Sequence, residues 1–122
     1  MFKSPILPEN ISEELTNLIE KNGIISIDKS DIEFVINSYS SCKCHTFKED
    51  EEKYTDIIKN INLEDAKYLI LIIKQKGDLS LYKMSELINN ISEKLKTTDI
   101  LFGDYIDRNM DKDIEITTLT FK

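Results

Sequence analysis

The sequence predicts an α/β domain in which helices flank a four-stranded mixed sheet. Residues 68–73, Tyr-Leu-Ile-Leu-Ile-Ile, form an unbroken apolar run, which is typical of a strand buried on both faces. An amphipathic helical pattern over 79–95 follows it, and residues 114–119 alternate in the manner of a final strand. A strand buried on both faces needs packed layers above and below it, so we expect helices on both sides of the sheet.

The N-terminal part of the chain predicts an irregular lead-in over residues 1–9, where both prolines lie, and a single domain over residues 10–122. Asn10 and Glu13 have the spacing of a capping box at the start of a first helix. Asn22-Gly23 predicts a glycine cap at its end. The apolar residues that share one face of this helix are Ile11, Leu15, Leu18 and Ile19.

A second helix is predicted after a short extended piece at residues 24–27, with Asp28 placed to cap it. Its inward residues are Ile32, Val35 and Ile36. Residues 40–47 lack helix formers, which predicts a strand there. Beyond them the sequence predicts a helix over 48–60 with Tyr54, Ile57, Ile58 and Ile61 inward, a strand over 66–74, a helix over 80–96 and a strand from residue 100. Two crossovers would make the first strands parallel, and a closing hairpin would add an antiparallel strand.

Composition excludes several classes of function. A net charge of −7 argues against a sequence-independent nucleic-acid binder, and Arg108 is the only arginine, so no arginine cluster for phosphates exists. The longest apolar run is too short to cross a bilayer, and the N-terminus does not read as a signal peptide. We therefore expect a cytoplasmic protein with no membrane partner and with its two cysteines reduced.

The segment Cys42-Lys43-Cys44-His45 holds both cysteines and the only histidine. In a strand, Cys42 and Cys44 point to one face and His45 to the other, so these residues form neither a zinc site with four converging ligands nor a Cys/His nucleophile pair. The three glycines are isolated, so the chain shows no phosphate-binding loop. We expect no metal and no cofactor of its own.

Two carboxylates, Asp28 and Asp31, lie at the entry to the second helix. The plainer interpretation is structural, because an acidic residue caps a helix start and another is favourable in its first turn. A functional role for this pair is the alternative. The residues alone leave both interpretations open.

Four segments of the chain occur in the order and spacing of one known family. Residues 23–32 are Gly-Ile-Ile-Ser-Ile-Asp-Lys-Ser-Asp-Ile, and Gly77-Asp78-Leu79-Ser80-Leu81 is a turn and helix start after a hydrophobic strand. Residues 99–107 are Asp-Ile-Leu-Phe-Gly-Asp-Tyr-Ile-Asp, and a strand over 113–117 follows them. These segments resemble the C-terminal domain of FtsZ: the first is similar to the family's synergy loop, Gly-Leu-Ile-Asn-Val-Asp-Phe-Ala-Asp-Val, and the third to its Asn-Ile-Ile-Phe-Gly-x-x-Ile-Asp. The resemblance covers about residues 10–121.

The resemblance implies the fold of that domain, with the strand at 66–74 internal to the sheet. It also implies that Asp28 and Asp31 correspond to the loop carboxylates that help to activate water at the GTP of the next subunit. Ser26 replaces the family's asparagine, and Lys29 places a cation where the family has an apolar residue. Ser26, Asp28, Lys29 and Asp31 are thus the candidate interaction loop, and any GTP would be supplied by a partner.

The resemblance implies a protein-interaction module of cell division or filament dynamics, not an enzyme on its own. It would dock on a full-length FtsZ-type subunit, capping a filament or stimulating GTP hydrolysis in trans. Pro5 and Pro8 would break a longer helix upstream, so we expect a chain with its own start. The first alternative is a repurposed scaffold that forms a homodimer through an exposed surface or an open sheet edge. A small-ligand or enzymatic role on the same fold is the second.

Overall fold

A computed structural model of the chain shows three helices and four strands whose bounds are described, and further helical residues between 53 and 60. It describes all residues except 1, 3, 9, 22, 24, 51, 52, 54, 55, 57, 58, 62–65, 78 and 95–98. The elements in chain order are α1 (Ile11–Glu20), α2 (Lys29–Ser38), β1 (Cys42–Glu49), β2 (Tyr68–Gln75), α3 (Leu81–Lys94), β3 (Asp99–Ile106) and β4 (Ile114–Phe121). The predicted α/β class with a four-stranded mixed sheet is confirmed.

The strand order of the sheet is β1-β4-β2-β3. β2 and β3 are parallel, and β4 is antiparallel to both β1 and β2. The predicted closing hairpin is therefore wrong, because β4 does not pair with β3 but lies between β1 and β2. The connection over residues 107–113 is long enough to pass β2, a distance of about 10 Å. The central position buries both faces of β4, whose residues are buried or half-buried throughout.

The core has two layers, one on each face of the sheet, and β2 contributes to both. Leu69, Leu71 and Ile73 pack with α3 on one face. Ile70 and Ile72 pack with α1 and α2 on the other face. The apolar run that predicted a strand buried on both faces is thus the centre of the molecule, as the sequence indicated.

The helix starts differ from the sequence prediction. Asn10 has φ 76° and its side chain makes no capping hydrogen bond, so the predicted capping box with Glu13 is wrong. Asparagine tolerates this left-handed backbone better than most other residues. Helix α3 has the cap that the sequence analysis missed, because the Ser80 hydroxyl accepts a hydrogen bond from the Lys83 N–H at 3.1 Å.

The predicted helix over 48–60 starts too early. Lys48 and Glu49 belong to β1, where Glu49 lies opposite Ile114, because β1 pairs with β4 along its whole length. The described residues among 53–60 are helical and Ile61 is buried. The predicted inward residues Tyr54, Ile57 and Ile58 lie outside the described residues. So does Leu95, the last residue of the amphipathic pattern predicted over 79–95.

Candidate functional site

The segment between α1 and α2 lies along the outer edge of β3. Two hydrogen bonds join them: the Asp104 N–H donates to the Ile25 carbonyl at 3.2 Å, and the Ile25 N–H donates to Asp104 Oδ1 at 2.6 Å. Ile25 packs against the α3 side of the core and Ile27 is buried on the α1/α2 side. We call residues 23–28 the edge loop. Its apolar side chains fasten it to both core layers.

A buried polar network holds the edge loop in place. Asp104 and Gln75 are 1% and 0% exposed. Gln75 Nε2 donates to Asp104 Oδ2 at 3.0 Å, and Gln75 Oε1 accepts from the Leu79 N–H at 3.1 Å. Both carboxylate oxygens of Asp104 thus accept a hydrogen bond, which is the condition for burying such a group without a large penalty. The network connects the edge loop, through two strands, to the turn before α3.

Gly23 has a role that differs from the predicted helix cap. The described end of α1 is Glu20, followed by an extended Lys21, and Asn22 lies outside the described residues. A Cβ atom on Gly23 would collide with the Asp104 carbonyl oxygen and lie 2.7 Å from Asp104 Oδ1. Gly23 therefore permits close approach of the loop backbone to β3.

The candidate residues Ser26, Asp28, Lys29 and Asp31 are all exposed. Asp28 is the residue before α2, and its carbonyl accepts from the Asp31 N–H at 3.2 Å, but its side chain makes no capping hydrogen bond. The prediction that the Asp28 carboxylate caps α2 is therefore wrong. Its carboxylate and that of Asp31 face solvent at the start of the helix, where the helix dipole favours negative charge.

Lys29 forms an ion pair with Glu33, one turn further along α2, at 3.5 Å. Both side chains are about half exposed, at 51% and 48%, so the pair adds little stability. Lys29 is therefore paired along the helix, with a carboxylate other than those of Asp28 and Asp31.

Phe34 is a candidate that the sequence analysis missed. Its side chain is 71% exposed, although Ile32, Val35 and Ile36 on the same helix are buried as predicted. Asp31 and Phe34 are three residues apart and lie on the same side of α2. Leu81 and Tyr82 on α3 are exposed as well, at 57% and 78%, so exposure alone does not mark Phe34 as an interface residue. Its position beside Asp31 is what makes it a candidate. The signal was present in the sequence, because Phe34 falls outside the inward helical spacing.

The cysteine-histidine segment alternates across β1 as predicted. Cys42 and Cys44 are half-buried against the α1/α2 layer, and His45 is exposed. Burial, and less so the neighbouring Cys44, raises the pKa of Cys42 to about 11, and burial also raises the pKa of Cys44. Both thiols are therefore weak nucleophiles at neutral pH. Among the described residues, no three potential ligands cluster around a common point.

A polar basin of about 410 Å³ lies at the end of β2 and the start of β4. Lys74 lies 3.5 Å from both Asp107 and Glu115. Burial lowers the pKa of Lys74, but the carboxylates, Glu115 foremost, outweigh this and raise it. The Asn109 N–H bound to Asp107 lowers the pKa of that carboxyl. Lys74 is thus paired with two carboxylates. The other lysines that line the basin, Lys48 and Lys112, lie 3.9 Å from Glu115 and 3.6 Å from Asp50, so each lysine of the basin has a carboxylate beside it.

Solved structures resemble this chain, although a scan of protein-family models and a search of curated proteins found no match. The FtsZ dimer of M. jannaschii matches with a TM-score of 0.75 at 19% identity, over 97% of this chain and 41% of that chain. A point mutant of M. jannaschii FtsZ matches with a TM-score of 0.77 at 20% identity, over 93% of this chain and 37% of that chain. The chain has the fold of the FtsZ C-terminal domain.

The FtsZ-like fold is shared with a more distant protein. TubZ of Bacillus thuringiensis serovar israelensis, in GDP-form protofilaments, matches with a TM-score of 0.64 at 13% identity, over 92% of this chain and 34% of that chain. The chain spans about two fifths of the FtsZ structures it matches. No helix among the described residues is long and apolar enough to cross a membrane. The fold expected from the resemblance, with β2 internal to the sheet, is confirmed.

Proposed function

We propose that this chain docks through its edge loop and the adjoining face of α2 on the nucleotide-bearing face of an FtsZ-type subunit. The observation that carries the proposal is a continuous set of exposed residues, Ser26 and Asp28 on a loop hydrogen-bonded to buried Asp104 and then Asp31 and Phe34 on the adjoining helix α2. A rigid backbone lowers the entropy lost on binding, and Phe34 supplies the apolar contact that a purely acidic loop lacks.

Docking of this kind would limit filament growth. The 122 residues contain no glycine-rich phosphate loop. A molecule that consists of these residues, once bound at a filament end, would present no bound nucleotide to the next subunit. Capping then follows from occupation of the end, and it requires no chemistry by this chain.

Stimulation of GTP hydrolysis is a separate consequence of the same docking. The Asp28 carboxylate makes no capping hydrogen bond, and Asp28 and Asp31 are both exposed at the start of α2. Either could orient a water molecule towards a phosphate held by the partner, as a general base does. The chain would then act on a nucleotide that it does not itself hold.

The test uses a full-length FtsZ-type protein from the same organism, GTP, and increasing amounts of this chain. We expect sedimented polymer mass to fall as the chain is added, because capped filaments are shorter. The double variant Asp28→Ala/Asp31→Ala should still shorten the polymer but should leave the GTP turnover per bound subunit unstimulated. Absence of binding, with polymer mass and turnover unchanged, would show the proposal to be wrong.

Two further variants define the docking face. Phe34→Asp should weaken binding at least about tenfold, since a truncated or charged interface anchor commonly loses 2 kcal/mol or more. Its control is Glu86→Ala/Glu93→Ala, which removes two exposed charges from α3 on the opposite face of the sheet. The control should bind as the unmodified chain does. Equal loss in both variants would place the contact elsewhere.

A further inference from the structure

The outer edge of β1 is open in the part of the chain that the structure describes. β1 pairs with β4 through all eight residues, Cys42 to Glu49, and it is the terminal strand of the sheet. No described strand pairs with its other side. Lys43, His45, Thr46 and Lys48 are exposed. An eight-residue ladder with this exposure presents a row of unpaired backbone N–H and C=O groups.

The strand lacks most of the features that block edge pairing. It contains no proline, and its register with β4 runs without a skipped residue, so it has no bulge. Its lysines are the one common deterrent present. Glu49 lies at the opposite end of the same strand from Lys43 and on the same face of the sheet, because their spacing is even. A reversed copy of the strand would bring these opposite charges together.

We propose that β1 pairs with β1 of a second copy of this chain, antiparallel and centred on Thr46, to give one continuous eight-stranded sheet. The proposal does not rest on the proposed function, because the edge loop lies on β3, at the other end of the strand order. The interface is isologous, as in most dimers of identical chains.

Symmetry limits the possible registers. Two antiparallel strands in one sheet are related by a twofold axis perpendicular to the sheet, which keeps each side chain on its own face. Odd-numbered residues must then lie opposite odd-numbered residues. Two such registers pair seven residues of the strand, one centred on Thr46 and the other on His45.

Charge and side-chain pairing select the register centred on Thr46. It places Lys43 opposite Glu49 of the partner subunit, and the twofold axis repeats this ion pair. It also places the His45 ring opposite the ring of Phe47 of the partner subunit. Thr46 then lies opposite Thr46 of the partner subunit. The register centred on His45 would place Lys43 opposite Phe47 of the partner subunit and leave Glu49 beyond the paired residues. Opposite-charge pairs across strands stabilise a sheet, so the first register is favoured.

Sedimentation equilibrium of the purified chain, without any FtsZ-type protein, tests the pairing. We expect a concentration-dependent dimer. Lys43→Glu and Glu49→Lys should each weaken it at least about tenfold, because symmetry converts two attractive pairs into two repulsive ones. The double variant Lys43→Glu/Glu49→Lys restores opposite charges and should recover the dimer. Lys67→Glu, an equal charge change just before β2, two strands away, should leave the dimer unchanged.

Hydrogen exchange on the same samples separates an edge contact from any other. The outward-facing amides of β1 should be protected only at concentrations where the dimer forms. A chain that stays monomeric at millimolar concentration overturns the proposal, as does a dimer that both single variants leave intact. A double variant that remains monomeric while circular dichroism shows it folded also overturns it, since the charges would then not be paired across the interface.

Discussion

The two edges of the sheet contrast sharply. The outer edge of β3 is covered by the edge loop, which hydrogen bonds to Asp104 through both its N–H and its carbonyl. The outer edge of β1 has no described covering segment, and half of its residues are exposed. Both strands have eight residues, so length does not distinguish them. What differs is whether the sequence supplies polar groups that a covering segment can satisfy.

Covering an edge from within the chain makes specific demands on the sequence. It requires a buried acceptor, Asp104, a second buried residue, Gln75, to satisfy that acceptor, and a glycine, Gly23, where the backbones approach. An open edge makes no such demands, and β1 carries ordinary surface charges instead. The covered edge should therefore be sensitive to single substitutions, and the open edge tolerant of them with respect to folding.

The largest effect is expected at Asp104. Asp104→Ala removes the acceptor of the Ile25 N–H and of Gln75 Nε2, which leaves two donors near or in the core without a partner. Each unsatisfied buried donor costs about 1–3 kcal/mol, so we expect about 3 kcal/mol loss in the free energy of unfolding. Urea denaturation followed by circular dichroism measures this.

Asp104→Asn is the matched control for that loss. Its side-chain carbonyl can still accept from the Ile25 N–H, but its amide meets the Gln75 amide, so an intermediate loss is expected. An alanine variant as stable as the unmodified chain would mean that the edge loop is not held by this network.

Gly23→Ala should give the second largest effect. The added methyl group would collide with the Asp104 backbone, which is less able to move than a flexible side chain. Overpacking of this kind costs about 1–3 kcal/mol. Hydrogen exchange should show faster opening at Ile25 than at the β2 amides, since the strain acts on the loop first. Uniform acceleration across the sheet would contradict a local role.

The comparison also explains what the sequence could predict. The three helices α1, α2 and α3 and the strands β2, β3 and β4 follow from apolar patterns, and β1 follows from its lack of helix formers. Both signals are properties of neighbouring residues. The position of β4 between β1 and β2 does not, because periodicity determines which face of a strand is buried but not which strand lies beside it. Asp28 and Asp31 were recognised from the residues alone as a pair of carboxylates at a helix entry. The resemblance supplied their functional interpretation, and their role in docking remains a prediction.

The residues that hold the loop were missed for a related reason. Gln75 and Asp104 are 29 positions apart and each is a polar residue in an apolar strand, with no local partner to mark it. Ile25 and Asp104 are 79 positions apart. Polar pairs at such separations become recognisable only when the register of β2 and β3 is known, and then Gln75 and Asp104 fall on the same face. Phe34, in contrast, was visible from helical spacing alone.

The smallest effect concerns Cys42, on the open strand. Burial raises the pKa of its thiol from 9.0 to about 11. As the pH rises, the thiol therefore ionises at a lower pH in the unfolded chain than in the folded chain. Its contribution to stability is therefore complete below pH 9.0 and is lost between pH 9.0 and about 11. Because the side chain is half exposed, solvent screening keeps the contribution modest.

Under reducing conditions, the urea midpoint should fall more between pH 8 and pH 10.5 in the unmodified chain than in Cys42→Ala. Cys44→Ala, on the same face of β1, should retain most of the fall, and equal slopes in all three proteins would show that Cys42 is as solvated as an unfolded thiol.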